Sequence, residues 1–108
     1  MVPDDAQQTF DDLAEGFLVR PGVDIGPMFG TEGLRIRGKV FAFLIPRAGL
    51  VLKVPEARAD ELVDQPGVER MVMRDRPMRE WIIADHDHHE TWPALAAEAF
   101  AYLDEITP

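Results

Sequence analysis

The spacing of apolar residues predicts a helix at each end of the chain. Between residues 4 and 18 the apolar positions recur at i, i+3, i+4 and i+7, and they are Phe10, Leu13, Ala14 and Phe17. A second stripe of this kind predicts a helix from Thr91 to Ile106, and its members are Trp92, Leu95, Ala96, Ala99, Leu103 and Ile106. A weaker stripe, ended by Pro66-Gly67, predicts a short helix over residues 55–65.

Between these helices the apolar period falls to two, which is typical of strands. Five strands are predicted, at 33–37, 39–45, 49–54, 68–73 and 78–84. A two-residue turn at Gly38-Lys39 would pair Ile36 with Phe41, and the next turn would pair Ile45 with Leu50. One face of the sheet would then carry Leu34, Ile36, Phe41, Phe43, Ile45, Leu50, Leu52 and Val54.

This order of elements predicts an α+β fold. We expect an antiparallel sheet of about five strands, with the N- and C-terminal helices packed on one face. The short helix would be inserted after the third strand. The length of 108 residues is that of one ordinary domain, so we expect residues 1–108 to form a single domain.

The opposite face of the predicted sheet mixes apolar and basic residues. An apolar centre surrounded by charges is typical of a protein interface. We therefore expect this face to bind a protein partner or a second copy of the chain, as in a homodimer. Its residues are Arg35, Arg37, Val40, Ala42, Leu44, Val51 and Lys53.

Basic residues are concentrated in the same region, since no acidic residue lies between Glu32 and Glu56. They are Arg35, Arg37, Lys39, Arg47 and Lys53. This local positive surface has two interpretations. It could bind an acidic partner, or it could protect the strands from edge-to-edge aggregation.

Composition excludes several classes of protein. The chain has no cysteine and no serine, which removes disulfides, thiolate metal sites and the two commonest side-chain nucleophiles. A net charge of −9 disfavours nucleic-acid binding. No apolar run is long enough to cross a membrane and the first residues do not form a signal peptide, so we expect a cytoplasmic protein. No nucleophile, base and orienting residue form a recognisable set, so we expect no enzyme and no cofactor.

The segment from Asp85 to Glu90 is the main alternative. His86, His88 and His89 are all possible metal ligands, and the first two would point the same way in an extended chain. The same six polar residues are also typical of a solvated loop between a strand and a helix. A metal- or small-ligand-binding protein that uses these histidines is therefore the second functional hypothesis.

Five segments of the chain form a recognisable series, and they are Met28-Phe29-Gly30, Gly33-Leu34-Arg35-Ile36, Gly38-Lys39-Val40-Phe41-Ala42-Phe43, Leu50-Val51-Leu52-Lys53-Val54 and Met78-Arg79-Glu80-Trp81. In order and spacing they resemble the TfoX/Sxy N-terminal domain family. The segments Pro66-Gly67-Val68 and Arg79-Glu80-Trp81-Ile82 are also similar to MmcQ/YjbR domains. The resemblance spans about residues 10–103 and implies a non-enzymatic regulatory domain that acts by contact. Thr31, Arg35, Arg37 and Val51 depart from the family pattern. The resemblance does not extend to the second domain of the competence regulators, so we do not expect a competence role to carry over.

Overall fold

The computed structural model describes residues 4–28 and 31–108. Its helices are α1 (Asp4–Leu18), α2 (Glu56–Leu62) and α3 (Trp92–Ile106), with a 3-10 helix at His86–Thr91. Its strands are β1 (Val23–Met28), β2 (Thr31–Ile36), β3 (Lys39–Ile45), β4 (Gly49–Lys53), β5 (Val68–Met73) and β6 (Arg76–Asp85). Phe29 and Gly30, which belong to the first segment of the family resemblance, lie outside the described residues.

The α+β fold is confirmed. The six strands form one antiparallel sheet in the order β1-β2-β3-β4-β6-β5. Strand β1 was not among the predicted strands, because Gly26 and Pro27 make its sequence look like a loop. The short helix α2 therefore follows the fourth strand rather than the third. The predicted loop after β6 is a 3-10 helix.

The predicted register of the first hairpins was wrong. Ile36 pairs with Lys39 rather than with Phe41, because the two turn residues are Arg37 and Gly38, with φ of 48° and 85°. Two successive positive φ values define a type I′ turn, whose twist matches that of the strands it joins. The register between β3 and β4 is also shifted by one residue, since Ile45 pairs with Gly49.

A bulge in the β2–β3 pair reverses part of the predicted face pattern. The register shifts between Leu34 and Arg35, so that Leu34 pairs with Ala42. Phe41 and Ala42 both belong to the core beneath the helices, while the next residue, Phe43, lies outside that core. A bulge adds one residue to one strand and breaks the strict alternation, which a period of two cannot anticipate.

All three α-helices pack on one face of the sheet, here called the first face. Each contributes buried side chains to one core, among them Phe17 of α1, Leu62 of α2 and Ala99 of α3. Phe17, Phe41 and Phe100 form a triangle with ring centroids 5.3–5.5 Å apart, and the Arg20 guanidinium lies 4.7 Å from the Phe100 ring centroid. Within residues 4–28 and 31–108, no helix is long and apolar enough to cross a membrane.

Candidate functional site

The face of the sheet opposite the helices, here called the second face, is crossed by one continuous row of paired residues. The row runs through all six strands as Gly26, Gly33, Phe43, Val51, Ile83 and Glu69. The strand neighbours of its central members, such as Leu44, Leu50 and Ile82, belong to the core under the helices. Because side chains alternate along a strand, the row itself points away from the helices.

The centre of the second face is buried although no helix of the described ranges packs on it. Val51 is 0% exposed and Phe43 is 1% exposed. The Trp81 ring centroid lies 6.0 Å from that of Phe43 in an edge-on arrangement, and Ile83 stands beside Val51. Large side chains of neighbouring strands therefore shield this centre, and they remain partly exposed themselves.

The residues predicted to bind a partner do not form one surface. Ala42 and Leu44 point to the first face and belong to its core, at 0% and 5% exposed. Val40 and Val51 lie on the second face, but Val51 is fully buried. The bulge explains the difference for Ala42, which shares the first face with Phe41.

The basic residues of the predicted rim are bound within the chain. The Arg35 guanidinium donates two hydrogen bonds to Asp24, at 2.8 and 2.6 Å, and covers Gly26 so closely that a Cβ there would lie 2.5 Å from its Cζ. These contacts lower the pKa of Asp24 because the cation stabilises its carboxylate. Lys53 Nζ lies 3.8 Å from a Glu80 carboxylate oxygen and 5.6 Å from the Trp81 ring centroid.

Arg37 closes the end of helix α3 instead of lining a partner site. Its guanidinium donates hydrogen bonds to the carbonyl oxygens of Asp104, Thr107 and Pro108, and to the Asp104 carboxylate. The last carbonyls of a helix have no partners within the helix, and a cation there also interacts favourably with the helix dipole. The β2–β3 turn is thereby attached to the C-terminal end of α3.

A pocket of about 290 Å³ opens on the second face, here called the methionine pocket. The residues that line it are Thr31, Phe43, Leu44, Ile45, Pro46, Met71 and Met73. The register of the β5–β6 pair is irregular between Arg70 and Val72. Met71 and Met73 of this segment line the pocket together with residues of β3. Val72, between them, is 61% exposed. Methionine side chains adapt their shape easily, so this pocket suits the binding of apolar groups of varied form.

Three arginines beside the methionine pocket have no ionic partner within residues 4–28 and 31–108. Arg47 follows Pro46 in the chain, Arg74 follows Met73, and Arg76 pairs with Met73 across the hairpin. All three are exposed. Arg47 belongs to the basic cluster predicted from the sequence, whereas Arg74 and Arg76 were not predicted to join it, because the approach of β5 to β3 is a tertiary contact.

The structure does not bring the three histidines together. His86 Nε2 is 2.8 Å from the carbonyl oxygen of Pro46, and His89 Nδ1 is 2.8 Å from Thr9 Oγ1 on α1. His88 Nδ1 is 2.7 Å from the Asp85 carboxylate, close under Gly67. In the described ranges no three His, Asp or Glu side chains form a group that could hold a metal ion.

The histidines instead attach the 3-10 helix to its surroundings. Asp85 also accepts a hydrogen bond from the His88 backbone N–H, and this carboxylate raises the pKa of His88 by stabilising the imidazolium. His86 and His89 flank the ring of Trp92, with centroids at 5.7 and 6.2 Å. Trp92 is fully buried and its indole N–H donates to the carbonyl oxygens of Ala84 and Asp85.

The remaining polar groups link the helices to the sheet. Tyr102 of α3 donates a hydrogen bond to Glu80, which with burial raises the pKa of Tyr102 to about 12. Arg58 of α2 binds both carboxylate oxygens of Glu98 on α3, at 2.7 and 3.1 Å. Arg70 of β5 donates a hydrogen bond to one carboxylate oxygen of Asp60 on α2. These pairs connect secondary-structure elements and leave the methionine pocket as the candidate site.

The chain matches no protein-family model, no curated protein and no solved structure. The resemblance to the TfoX/Sxy N-terminal domain family therefore stays a prediction.

Proposed function

We propose that the chain is a non-enzymatic interaction domain of the cytoplasm, which binds a protein partner or a second copy through the second face. The observation that carries this proposal is the methionine pocket, an apolar cavity of about 290 Å³ on the side of the sheet away from the helices. The resemblance to the TfoX/Sxy N-terminal domain family, whose members act by contact, is consistent with it.

The proposal differs from the sequence hypothesis in the residues that make contact. The contact residues are the partly exposed Ile45, Met71, Met73 and Ile83, because Ala42, Leu44 and Val51 are buried in the fold. Partly exposed apolar side chains around a cavity gain free energy when a partner covers them, whereas buried ones gain nothing further. The pocket provides a place for an anchoring side chain of the partner.

The test is capture of partners from cells that express the chain, with Met73→Glu as the variant and Glu15→Gln on the exposed face of α1 as the control. Met73 is partly exposed at the end of an edge strand, so a charge there is compatible with folding. We expect the wild type and Glu15→Gln to capture the same protein, and Met73→Glu to lose it. Capture of the chain itself would identify the homodimer.

Each captured protein is then purified and titrated directly against the three forms by calorimetry. The proposal requires Met73→Glu to weaken binding at least tenfold while its thermal unfolding stays within a few degrees of the wild type. An identical set of captured proteins for Met73→Glu and the wild type would contradict the proposal.

A further inference from the structure

We propose that two copies of the chain associate edge to edge through strand β5, so that their sheets join into one antiparallel sheet. Strand β5 lies at one edge of the sheet and β1 at the other. An edge strand presents backbone N–H and C=O groups with which a further strand can pair. The inference concerns this edge rather than the second face, so it does not rest on the proposed function.

The backbone groups of Arg70 and Val72 point away from the sheet. The carbonyl oxygen of Gly67 accepts a hydrogen bond from the Asp85 N–H of β6, at 2.9 Å, so Gly67 faces β6. Because this direction alternates along a strand, the groups of Arg70 and Val72 lie on the outer edge. Val72 is accordingly paired with Pro77, which has no N–H to donate. In the part of the chain that the structure describes, no strand pairs with this outer edge.

The opposite edge has a protection that β5 lacks. The carbonyl oxygen of Gly22 accepts a hydrogen bond from the Arg37 N–H, so the backbone of Pro27, five positions further on, points outward from β1. Proline at such a position removes a donor and hinders the approach of another strand. Strand β5 contains no proline, and its Val72 is 61% exposed. Of the two edges, β5 is therefore the one open to a further strand.

The charges on β5 select one register for pairing with its own copy. Outward groups must meet outward groups, so the two-fold axis passes through a residue rather than between two residues. The registers with the longest overlap are then centred on Arg70 and on Met71. The first places two arginines directly opposite each other, which is destabilising. The second places Met71 opposite its own copy, Arg70 opposite Val72, and no like charges opposite each other.

The register centred on Met71 satisfies the outer backbone groups. Arg70 of one copy and Val72 of the other form a hydrogen-bonded pair that exchanges two N–H···O=C bonds, and the two-fold axis repeats this pair. The aliphatic stem of Arg70 then packs beside the exposed Val72.

The same register brings opposite charges into one row. Glu69 is exposed and has no ion-pair partner within residues 4–28 and 31–108. It lies opposite Met73 of the second copy, and Met73 is paired with the exposed Arg76 of its own hairpin. Glu69 and Arg76 of different copies therefore lie in one row across the joined sheet, on either side of Met73, which favours this pairing electrostatically.

Light scattering after size exclusion, over a concentration series of the full chain, measures the association. We expect a dimer with a dissociation constant below about 1 mM. Val72→Pro removes an outward N–H that β6 does not use, so this variant should be a monomer. Val72→Thr keeps the N–H and the β-branched shape and should remain a dimer. Thermal unfolding of both variants within a few degrees of the wild type shows that the fold is intact.

Single cysteines test the register, because the chain has no cysteine of its own. In the proposed dimer the two Met71 residues form a non-hydrogen-bonded pair, with Cα atoms about 4.5 Å apart, a separation that suits a disulfide. Met71→Cys should therefore form a covalent dimer under mild oxidation. Val72→Cys is the matched control, since Val72 is more exposed than Met71. Its two copies are offset by two residues along the strands, which is beyond the reach of a disulfide.

Three results would each overturn the inference. They are a monomer at every concentration, a dimer that Val72→Pro leaves intact, and cross-linking of Val72→Cys as fast as that of Met71→Cys. None of them contradicts the proposed function, because capture of a different protein by the second face does not require a joined sheet. A cross-linked dimer of Met71→Cys together with no captured protein would support the inference and count against the proposed function.

Discussion

The two faces of the sheet bury apolar side chains equally well by different means. On the first face, three helices cover residues such as Leu52 and Ile82, which are 0% exposed. On the second face, Phe43 and Val51 are buried to the same degree beneath side chains of the strands themselves, among them Trp81. The first face is covered by helices, whereas the cover of side chains on the second face leaves the methionine pocket. Burial alone therefore does not tell a structural face from a binding face.

The largest expected effect is a difference in lost stability between alanine substitutions at two neighbouring residues of β3, Leu44 and Ile45. Leu44→Ala should lower the free energy of unfolding by about 3 kcal/mol, because it opens a cavity in the core on the first face. Ile45→Ala should lower it by only about 1 kcal/mol, because Ile45 is partly exposed beside the methionine pocket. Urea unfolding of both variants measures the difference. Equal losses would mean that the two faces are equivalent in packing.

The next effect concerns the arginine that was expected at a partner site. Arg37→Ala should lower the free energy of unfolding by about 1 kcal/mol, because three carbonyl oxygens at the end of α3 lose their donor. Partner binding through the second face should be unchanged. Thermal unfolding and calorimetry check the two parts, and Lys39→Ala is the matched control. A loss of binding without a loss of stability would place Arg37 in the interface after all.

A third prediction concerns the pH dependence of the free energy of unfolding, which His88 of the 3-10 helix before Trp92 should affect. The pKa of His88 is raised above 6.5 by the Asp85 carboxylate, so the folded state binds this proton more tightly than the unfolded state. The stabilisation is complete below about pH 6.5 and is lost as the pH rises through the folded-state pKa. Urea unfolding from pH 5.5 to 8.5 should show wild type and His88→Gln converging as the pH rises. A constant difference would rule out this linkage.

The smallest effect lies in the hairpin that carries the methionines. Arg74 and Asp75 both have positive φ, at 53° and 65°, where glycine is favoured over other residues. Asp75→Gly should raise the free energy of unfolding by about 0.5 kcal/mol. Gly38→Ala in the corresponding turn of the β2–β3 hairpin should have the opposite sign, because its φ is 85°. Chemical denaturation of the pair provides the test, and a loss of stability in Asp75→Gly would contradict it.

Most secondary structure could be predicted because hydrophobic periodicity is a local property. The apolar stripe of residues 4–18 predicts α1 with its observed bounds, and the stripe from Trp92 to Ile106 predicts α3. Strand β1 could not be predicted, since Gly26 and Pro27 are poor strand residues. Asp24 and Val23 pair with Arg35 and Ile36, which lie too far along the chain for a local pattern to show the pairing. The register depended on a bulge and on a type I′ turn with arginine at its first position.

The site was less predictable than the fold. Met71, Met73 and Arg76 are separated from Ile45 by more than twenty residues, so only the tertiary path of the β5–β6 hairpin brings the methionines to the pocket. The half-apolar character of the second face was visible in the sequence through Val40 and Val51. Which apolar residues would be buried and which would line a cavity depended on side-chain packing between strands.

The placement of the two tryptophans makes the molecule its own optical probe. Trp92 is fully enclosed between two imidazole rings on the first face, whereas Trp81 is partly exposed on the second. Trp81→Phe should therefore leave the short-wavelength fluorescence of the enclosed Trp92. Trp92→Phe should leave longer-wavelength emission that changes when a ligand occupies the neighbouring surface. Each side of the sheet can thus be followed separately in solution without an attached dye.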